Sequence, residues 1–244
     1  TDKISGLETP TAVTGSVYFD GVSNDSLQIA NNTDFDFPGD FTIECWVYSI
    51  TALGDYNNDY AHIAGKGNGI SASTYSLGFY QSKVNFTTSN SGGTYTLRQG
   101  ASTLTNNTWY HFAVTRQSNT LRLFVNGKED YSATVSDDLT NTKSFNIGDR
   151  ESGDSSANYP MNGYNSNLRI LKGTALYTAD FTPPTHELEV IGDTVLLCCN
   201  NPDSAGADGT GKTITVNGDA AASTFSPGLT RDFTSGTEFR GVTT

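Results

Sequence analysis

The chain has 244 residues, a length that one all-β sandwich fills and that buries about 70–75% of the unfolded surface without disulfide staples. Only 35% of residues are apolar, yet aromatics reach 11%, too many for a disordered chain. The net charge of −12, from 26 acidic and 14 basic residues with no Lys/Arg cluster, repels phosphate backbones and excludes a nucleic-acid partner. No run of about 18 apolar residues exists, so membrane insertion is excluded too.

Residues 1–14 form a polar lead containing Pro10 and read as an extended segment; lacking a basic start and an apolar stretch, Thr1–Gly15 is not expected to be a secretory signal. Strands are predicted next at Val17–Asp20 and Ser26–Ala30, joined by Gly21–Asp25. Phe41–Ile50 alternates Phe41, Ile43, Cys45 and Val47 on one face with Thr42, Glu44, Trp46 and Tyr48 on the other. Further strands are predicted at Ala61–Ala64, Tyr75–Tyr80, Lys83–Thr88 and Thr94–Gln99. The pattern is clearest in Trp109–Arg116 and Leu121–Val125, after which Asn126-Gly127 supplies the tight turn into Glu129–Thr134. Ser144–Gly148, Gly163–Leu171, Thr194–Cys199 and Lys212–Val216 complete the set. A helical turn is allowed only around Thr174–Tyr177. Alternation is lost from Phe225, and residues 226–244 read as a tail, docked or free.

About a dozen short strands with regular turn signals and no internal repeat predict an all-β, two-sheet antiparallel sandwich. The domain is placed at residues 15–225. Cys45, Cys198 and Cys199 make no disulfide framework and no zinc spacing. Cys45 and one of the adjacent pair are expected in the core, the pair pointing to opposite strand faces. A reducing cytoplasm as the place of folding fits this usage.

Three motifs resemble the laminin-G-like branch of the concanavalin A-like lectin/glucanase superfamily, a jelly-roll fold. They are Ser16-Val-Tyr-Phe-Asp-Gly21 with Phe41-Thr-Ile-Glu-Cys-Trp-Val47, Asn107-Thr-Trp-Tyr-His-Phe-Ala-Val-Thr-Arg116 with Leu121-Arg-Leu-Phe-Val-Asn-Gly127, and Met161-Asn-Gly-Tyr-Asn-Ser-Asn-Leu-Arg-Ile170. A narrower stretch, Leu168-Arg-Ile-Leu-Lys-Gly-Thr-Ala-Leu-Tyr-Thr-Ala-Asp-Phe-Thr-Pro-Pro184, resembles laminin-G-like domains of structural proteins from tailed bacteriophages, notably those of marine cyanobacteria. That resemblance implies a virion component: a capsid decoration, head-fibre or tail-fibre protein assembled in the host cytoplasm. Other virion subunits would be its partners, and a homo-oligomer its form.

The chemistry to be tested follows. The superfamily's laminarinase-type hydrolases carry Glu-x-Asp-x-x-Glu, a spacing absent here, and no Ser/His/Asp unit is recognisable, so no enzyme is expected. A glycan hydrolase built on carboxylates from separate strands is the remaining enzymatic alternative. His62, His111 and His186 are scattered, and His111 falls on a scaffold position of the resemblance. A lectin role in host-surface recognition is the main alternative. Its residues are expected among the aromatic and amide groups Tyr56, Asn58, Asp59, Tyr60 and Tyr159. A structural calcium is weighed at Asp20, Asn24, Asp25, Asp203 and Asp208, because first and last strands commonly pair in this fold. Against it, the Asp-Glu pair that many family members carry in the third motif is here Ser166-Asn167.

Overall fold

The structure, a computed structural model, describes residues 14–22, 24–51, 60–67, 74–150 and 159–229. These contain fifteen strands: β1 (Ser16–Asp20), β2 (Ser26–Ile29), β3 (Phe41–Ser49), β4 (Tyr60–Lys66), β5 (Tyr75–Tyr80), β6 (Lys83–Ser89), β7 (Tyr95–Gln99), β8 (Trp109–Gln117), β9 (Thr120–Val125), β10 (Lys128–Thr134), β11 (Phe145–Ile147), β12 (Asn162–Lys172), β13 (Thr194–Cys198), β14 (Thr215–Asn217) and β15 (Ala221–Ser223). One antiparallel sheet runs β10-β9-β8-β3-β12-β1-β15, with β13 also paired to β12; the other runs β14-β2-β11-β4-β5-β6-β7. Consecutive strands therefore cross repeatedly between layers, which is the jelly-roll arrangement.

Period-two alternation builds the core. Phe41, Ile43, Cys45 and Val47 of β3 are all buried and face Leu27, Phe145, Ile147, Leu77 and Phe86 of the opposite sheet within one hydrophobic cluster. Phe37 stacks on Phe41 at 4.5 Å between centroids, and Phe79 meets Phe112 edge-on at 5.6 Å, so aromatic pairs stitch the layers. Each such ring contributes about 1.5–3 kcal/mol by leaving water. At Asn126-Gly127 both residues have positive φ, 49° and 76°, the mirror-image turn that matches strand twist.

Two buried cations close the sandwich. Lys66 Nζ donates to Asp36 Oδ1 at 2.5 Å and to the carbonyls of Asn32 and Asn141. Arg116 lies over the Phe41 ring and its guanidinium donates to the carbonyls of Gly39, Asp137 and Phe37. No charge is left without a partner at either place, which is what makes burial of these side chains tolerable.

The structure differs from the sequence expectations in three ways. Thr174–Tyr177 is not helical: Thr42 Oγ1 donates to Thr174 O and accepts from Leu176 N, tying this stretch as an extended strap to the outer face of β3. Ala221–Ser223, three small residues without an apolar alternation, form an edge strand beside β1. Cys198 and Cys199 do not diverge, because Cys199 lies past the strand end with φ 61°; both are buried, with sulfurs 3.7 Å apart. The chain then docks along the body as far as Leu229, where Ser16 Oγ donates to Phe225 O and Thr14 Oγ1 to Leu229 O.

Candidate functional site

The two outer sheet faces are chemically unlike. On the eight-stranded sheet, outward residues of β3, β8, β9 and β12 are roofed by the strap that follows β12. Tyr177 and Phe181 stack at 3.6 Å, and Phe181 meets Phe124 and His111 edge-on. Beneath them lies Glu44, fully buried, accepting from Arg169 Nε at 2.9 Å and Nη2 at 2.6 Å, His111 Nε2 at 3.2 Å and Tyr177 OH at 2.8 Å. Burial pushes the Glu44 carboxyl up, but the His111 hydrogen bond and the Arg169 charge together outweigh it and hold the group below the ordinary range. Burial and the neighbouring Glu44 charge raise the Tyr177 phenol, which therefore stays a donor. An open cleft of about 380 Å3 borders this network along Pro184–Ile191. The Arg169 side that lines it is already engaged, Nη1 donating to Glu189 O. Ser166 and Asn167, where many family members carry Asp-Glu, hold chain: Ser166 Oγ donates to Gly15 O, and Asn167 Oδ1 accepts from Leu188 N.

The outer face of the seven-stranded sheet is a polar floor. Cross-strand register sets Gln28, Asn146, Gly65, Ser76 and Thr87 in one row, with Gly78, Asn85 and Gln99 in the next. Alternate residues of the same strands, Leu27, Ile147, Leu77 and Phe86, enter the core. Gly78 makes room on this face: a Cβ there would meet Tyr60 Oη at 2.8 Å. The Tyr60 ring end takes that space, its hydroxyl 2.6 Å from Ser76 Oγ, which is also 2.7 Å from His62 Nδ1. Burial, with Arg150 nearby, lowers His62 to about 3, so its ring is neutral at physiological pH.

At the β2–β11–β14 end this floor opens into a cleft of about 160 Å3, lined by Asn24, Ser26, Gln28, Asn146, Arg150 and Asn217. Gln28 Nε2 bonds both Asn146 Oδ1 and Ser144 Oγ, which fixes the amides. The Arg150 guanidinium sits 3.8 Å from the Tyr159 ring centroid and 4.9 Å from that of Tyr60, while the two rings meet edge-on. Its Nε and Nη1 are buried without a hydrogen-bond partner, as is Asn85 Nδ2 on the floor. Asp149, the adjacent carboxylate, is occupied by the backbone N–H groups of Asn24, Arg150 and Tyr159.

Among the expected site residues, Tyr60 and Tyr159 come together behind Arg150 without lining the cleft themselves, and Tyr60 is buried rather than an exposed platform. Tyr56, Asn58 and Asp59 lie outside the described residues. Of the expected cation ligands, Asp20 and Asp25 converge within 4.8 Å with Asp219, which sequence reasoning missed. Asp25 also accepts the backbone N–H groups of Asp219 at 2.8 Å and Asp20 at 3.4 Å. Burial raises Asp25 to about 6. Asp208 is instead a loop organiser, accepting from Leu197, Thr210 and Lys212 N–H groups; Asp203 is exposed, and Asn24 borders the cleft. The pairing of first and last strands does supply the cluster, through the turn before β15 rather than the loop after β13. Three carboxylates are an all-oxygen donor set suited to a hard cation, which takes about six to eight oxygens.

The Laminin_G_3 family profile, described as the concanavalin A-like lectin/glucanases superfamily, matches residues 14–178. The chain belongs to this superfamily. Among solved structures it is similar to a Bacteroides ovatus protein assigned as carbohydrate-binding, at TM-score 0.65 and 17% identity over 91% of this chain and 65% of that one. It therefore spans just under two thirds of that protein's length. The mouse laminin α1 LG4-5 domains align at TM-score 0.51 and 15% identity, over 78% of this chain and 48% of theirs. The Ruminococcus gnavus sialidase CBM40 domain, solved with α2,3-sialyllactose, aligns at TM-score 0.50 and 13% identity, over 66% of this chain and 92% of its own. No curated protein sequence matches the chain. The superfamily member described here thus shares its fold with several binding domains.

Proposed function

We propose that the chain is a non-catalytic carbohydrate-binding module whose sugar site is the cleft between Gln28, Asn146 and Arg150. The observation that carries this is the cleft's composition: fixed amides beside a guanidinium seated on two tyrosine rings, with donors that no group among the described residues satisfies. Sugar recognition needs a few convergent polar groups in fixed positions, and the two tyrosines behind Arg150 hold its guanidinium at the cleft. The similar proteins from Bacteroides ovatus and Ruminococcus gnavus support sugar binding on this fold. Catalysis is disfavoured because Glu44 and Asp149, the buried carboxylates beside the two clefts, already accept several hydrogen bonds.

The test is a glycan array with the full chain, followed by calorimetry on the hits. Binding that falls at least about tenfold in Gln28→Ala and Tyr159→Ala, without hydrolysis of the bound sugar, is expected. A blank array overturns the reading, and turnover of β-glucans replaces it with the hydrolase alternative.

The virion assignment rests on the resemblance of Leu168–Pro184 and belongs to this proposal as the module's setting, with virion subunits as partners and a homo-oligomer as its form. In the fold that stretch is the second half of β12 and the strap that roofs the eight-stranded sheet, while the sugar cleft lies on the other layer. Co-sedimentation of the protein with purified phage particles is expected; its absence from particles would remove the setting and leave the sugar site.

A further inference from the structure

The sugar reading leaves one feature unexplained: why the cleft holds a cation at all. Neutral sugars can be bound by amides and hydroxyls alone, and a half-buried guanidinium with unpaired N–H groups is costly to keep. Half-buried Arg150 differs from the buried cations Lys66, Arg98, Arg116 and Arg169, of which Arg98 donates to Thr88 Oγ1 and Thr96 O and pairs with Asp137. Lys66 has a carboxylate and two carbonyls, Arg116 three carbonyls, and Arg169 a carboxylate and a carbonyl. Arg150 has two buried N–H-bearing nitrogens without partners, and among the described residues no ion pair reaches it. Asp149 does not neutralise it by contact, because its oxygens take the N–H groups of Asn24, Arg150 and Tyr159. The guanidinium is nonetheless held in place, its plane against Tyr159 and Tyr60, with Tyr60 itself fixed through Ser76.

Resting on the carbohydrate reading, we propose that this cleft selects acidic sugars, with Arg150 receiving a sugar carboxylate while Gln28 and Asn146 meet ring hydroxyls. Asp149 is the nearest negative charge but makes no hydrogen bond to the guanidinium, so a sugar carboxylate supplies the acceptors that Arg150 lacks, and a charge-assisted hydrogen bond is roughly twice as strong as a neutral one. The cleft of about 160 Å3 is smaller than the roughly 300–1,000 Å3 of drug-sized pockets, so it takes one charged residue of a longer glycan. The net charge of −12 does not oppose this at physiological salt, because the Debye length is about 8 Å and the contact charge decides.

The full chain is titrated calorimetrically with oligogalacturonate, alginate oligomers and a glucuronate-bearing oligosaccharide, each beside its carboxyl methyl ester. The ester keeps the ring and removes the charge. The expected result is at least one acid that binds about tenfold or more tightly than its ester, a preference lost in Arg150→Gln and only partly kept in Arg150→Lys. Thermal melts of both variants show whether they fold, and the acid-to-ester comparison in the unaltered protein decides the matter even if they do not. Equal affinity for acid and ester, or binding of neutral sugars alone, overturns this inference and leaves the carbohydrate reading standing. Binding of no sugar of either kind overturns both.

Discussion

Glu44 is the residue on which the roof of the eight-stranded sheet turns, and its substitution gives the most quantitative prediction. Its carboxylate accepts four hydrogen bonds, two from Arg169 and one each from His111 and Tyr177, in a site without solvent. Glu44→Gln keeps the shape but presents an NH2 group to donors on one side and leaves Arg169 without its counter-ion. Removing one member of a buried pair costs about 3–5 kcal/mol. At about 2–4 °C per kcal/mol for a domain of this size, the midpoint falls by about 6–20 °C. Urea denaturation followed by tryptophan fluorescence measures the loss directly. The double variant Glu44→Leu/Arg169→Met, which removes both charges, should recover most of it. A loss below about 1 kcal/mol in Glu44→Gln, or a double variant as unstable as the sum of its singles, would refute the reasoning. The pH sense is also fixed: because the Glu44 carboxyl is held below its ordinary value, its contribution is present above that value and is lost as pH falls through the folded one.

Asp25 has the opposite sign. Its folded value of about 6 lies above the ordinary 3.8, so its contribution is fully present at low pH and declines as pH rises between those values. The stability of Asp25→Asn relative to the unaltered protein should therefore improve across that window; parallel pH profiles would contradict it. Calcium titration of both proteins reads the donor set of Asp20, Asp25 and Asp219 in the same assay, a melting-point rise confined to the unaltered protein marking a cation held there. Burial pushes the Cys45 thiol well up, and the contact with the Cys199 sulfur, together with burial, does the same for Cys198. All three thiols should resist iodoacetamide in the native state and react on denaturation, and rapid native labelling of Cys45 would show that the core opens. Gly78→Ala places a methyl within 2.4 Å of the Ala61 carbonyl and 2.8 Å of the Tyr60 hydroxyl. It should cost about 1–3 kcal/mol and weaken sugar binding by displacing Tyr60 from beneath Arg150; unchanged affinity would separate Tyr60 from the site.

The strands were legible where one face enters the core, because alternation and burial are the same signal. Phe41 to Val47 and the Asn126-Gly127 hairpin needed nothing beyond the chain order. Ala221–Ser223 escaped because small residues at a sheet edge carry no alternation, and Asp219 escaped with them, since its place in the cluster depends on that strand pairing with β1. Tyr60 was visible as an aromatic near the site but not as a buried one; its burial follows from Gly78 on the neighbouring strand, a contact between separate segments. Arg150 gave no signal at all. A single arginine in a polar loop acquires meaning only when the fold sets it on Tyr159 and leaves its donors unpaired.

The proposed sugar site is tested most directly by where a sugar touches the protein. Chemical-shift mapping of the isotope-labelled chain, with a glycan that the array identifies, should perturb Gln28, Asn146, Asn217 and Tyr159 together with the Arg150 Nε–H resonance. Shifts confined to the Pro184–Ile191 cleft on the other sheet would contradict it.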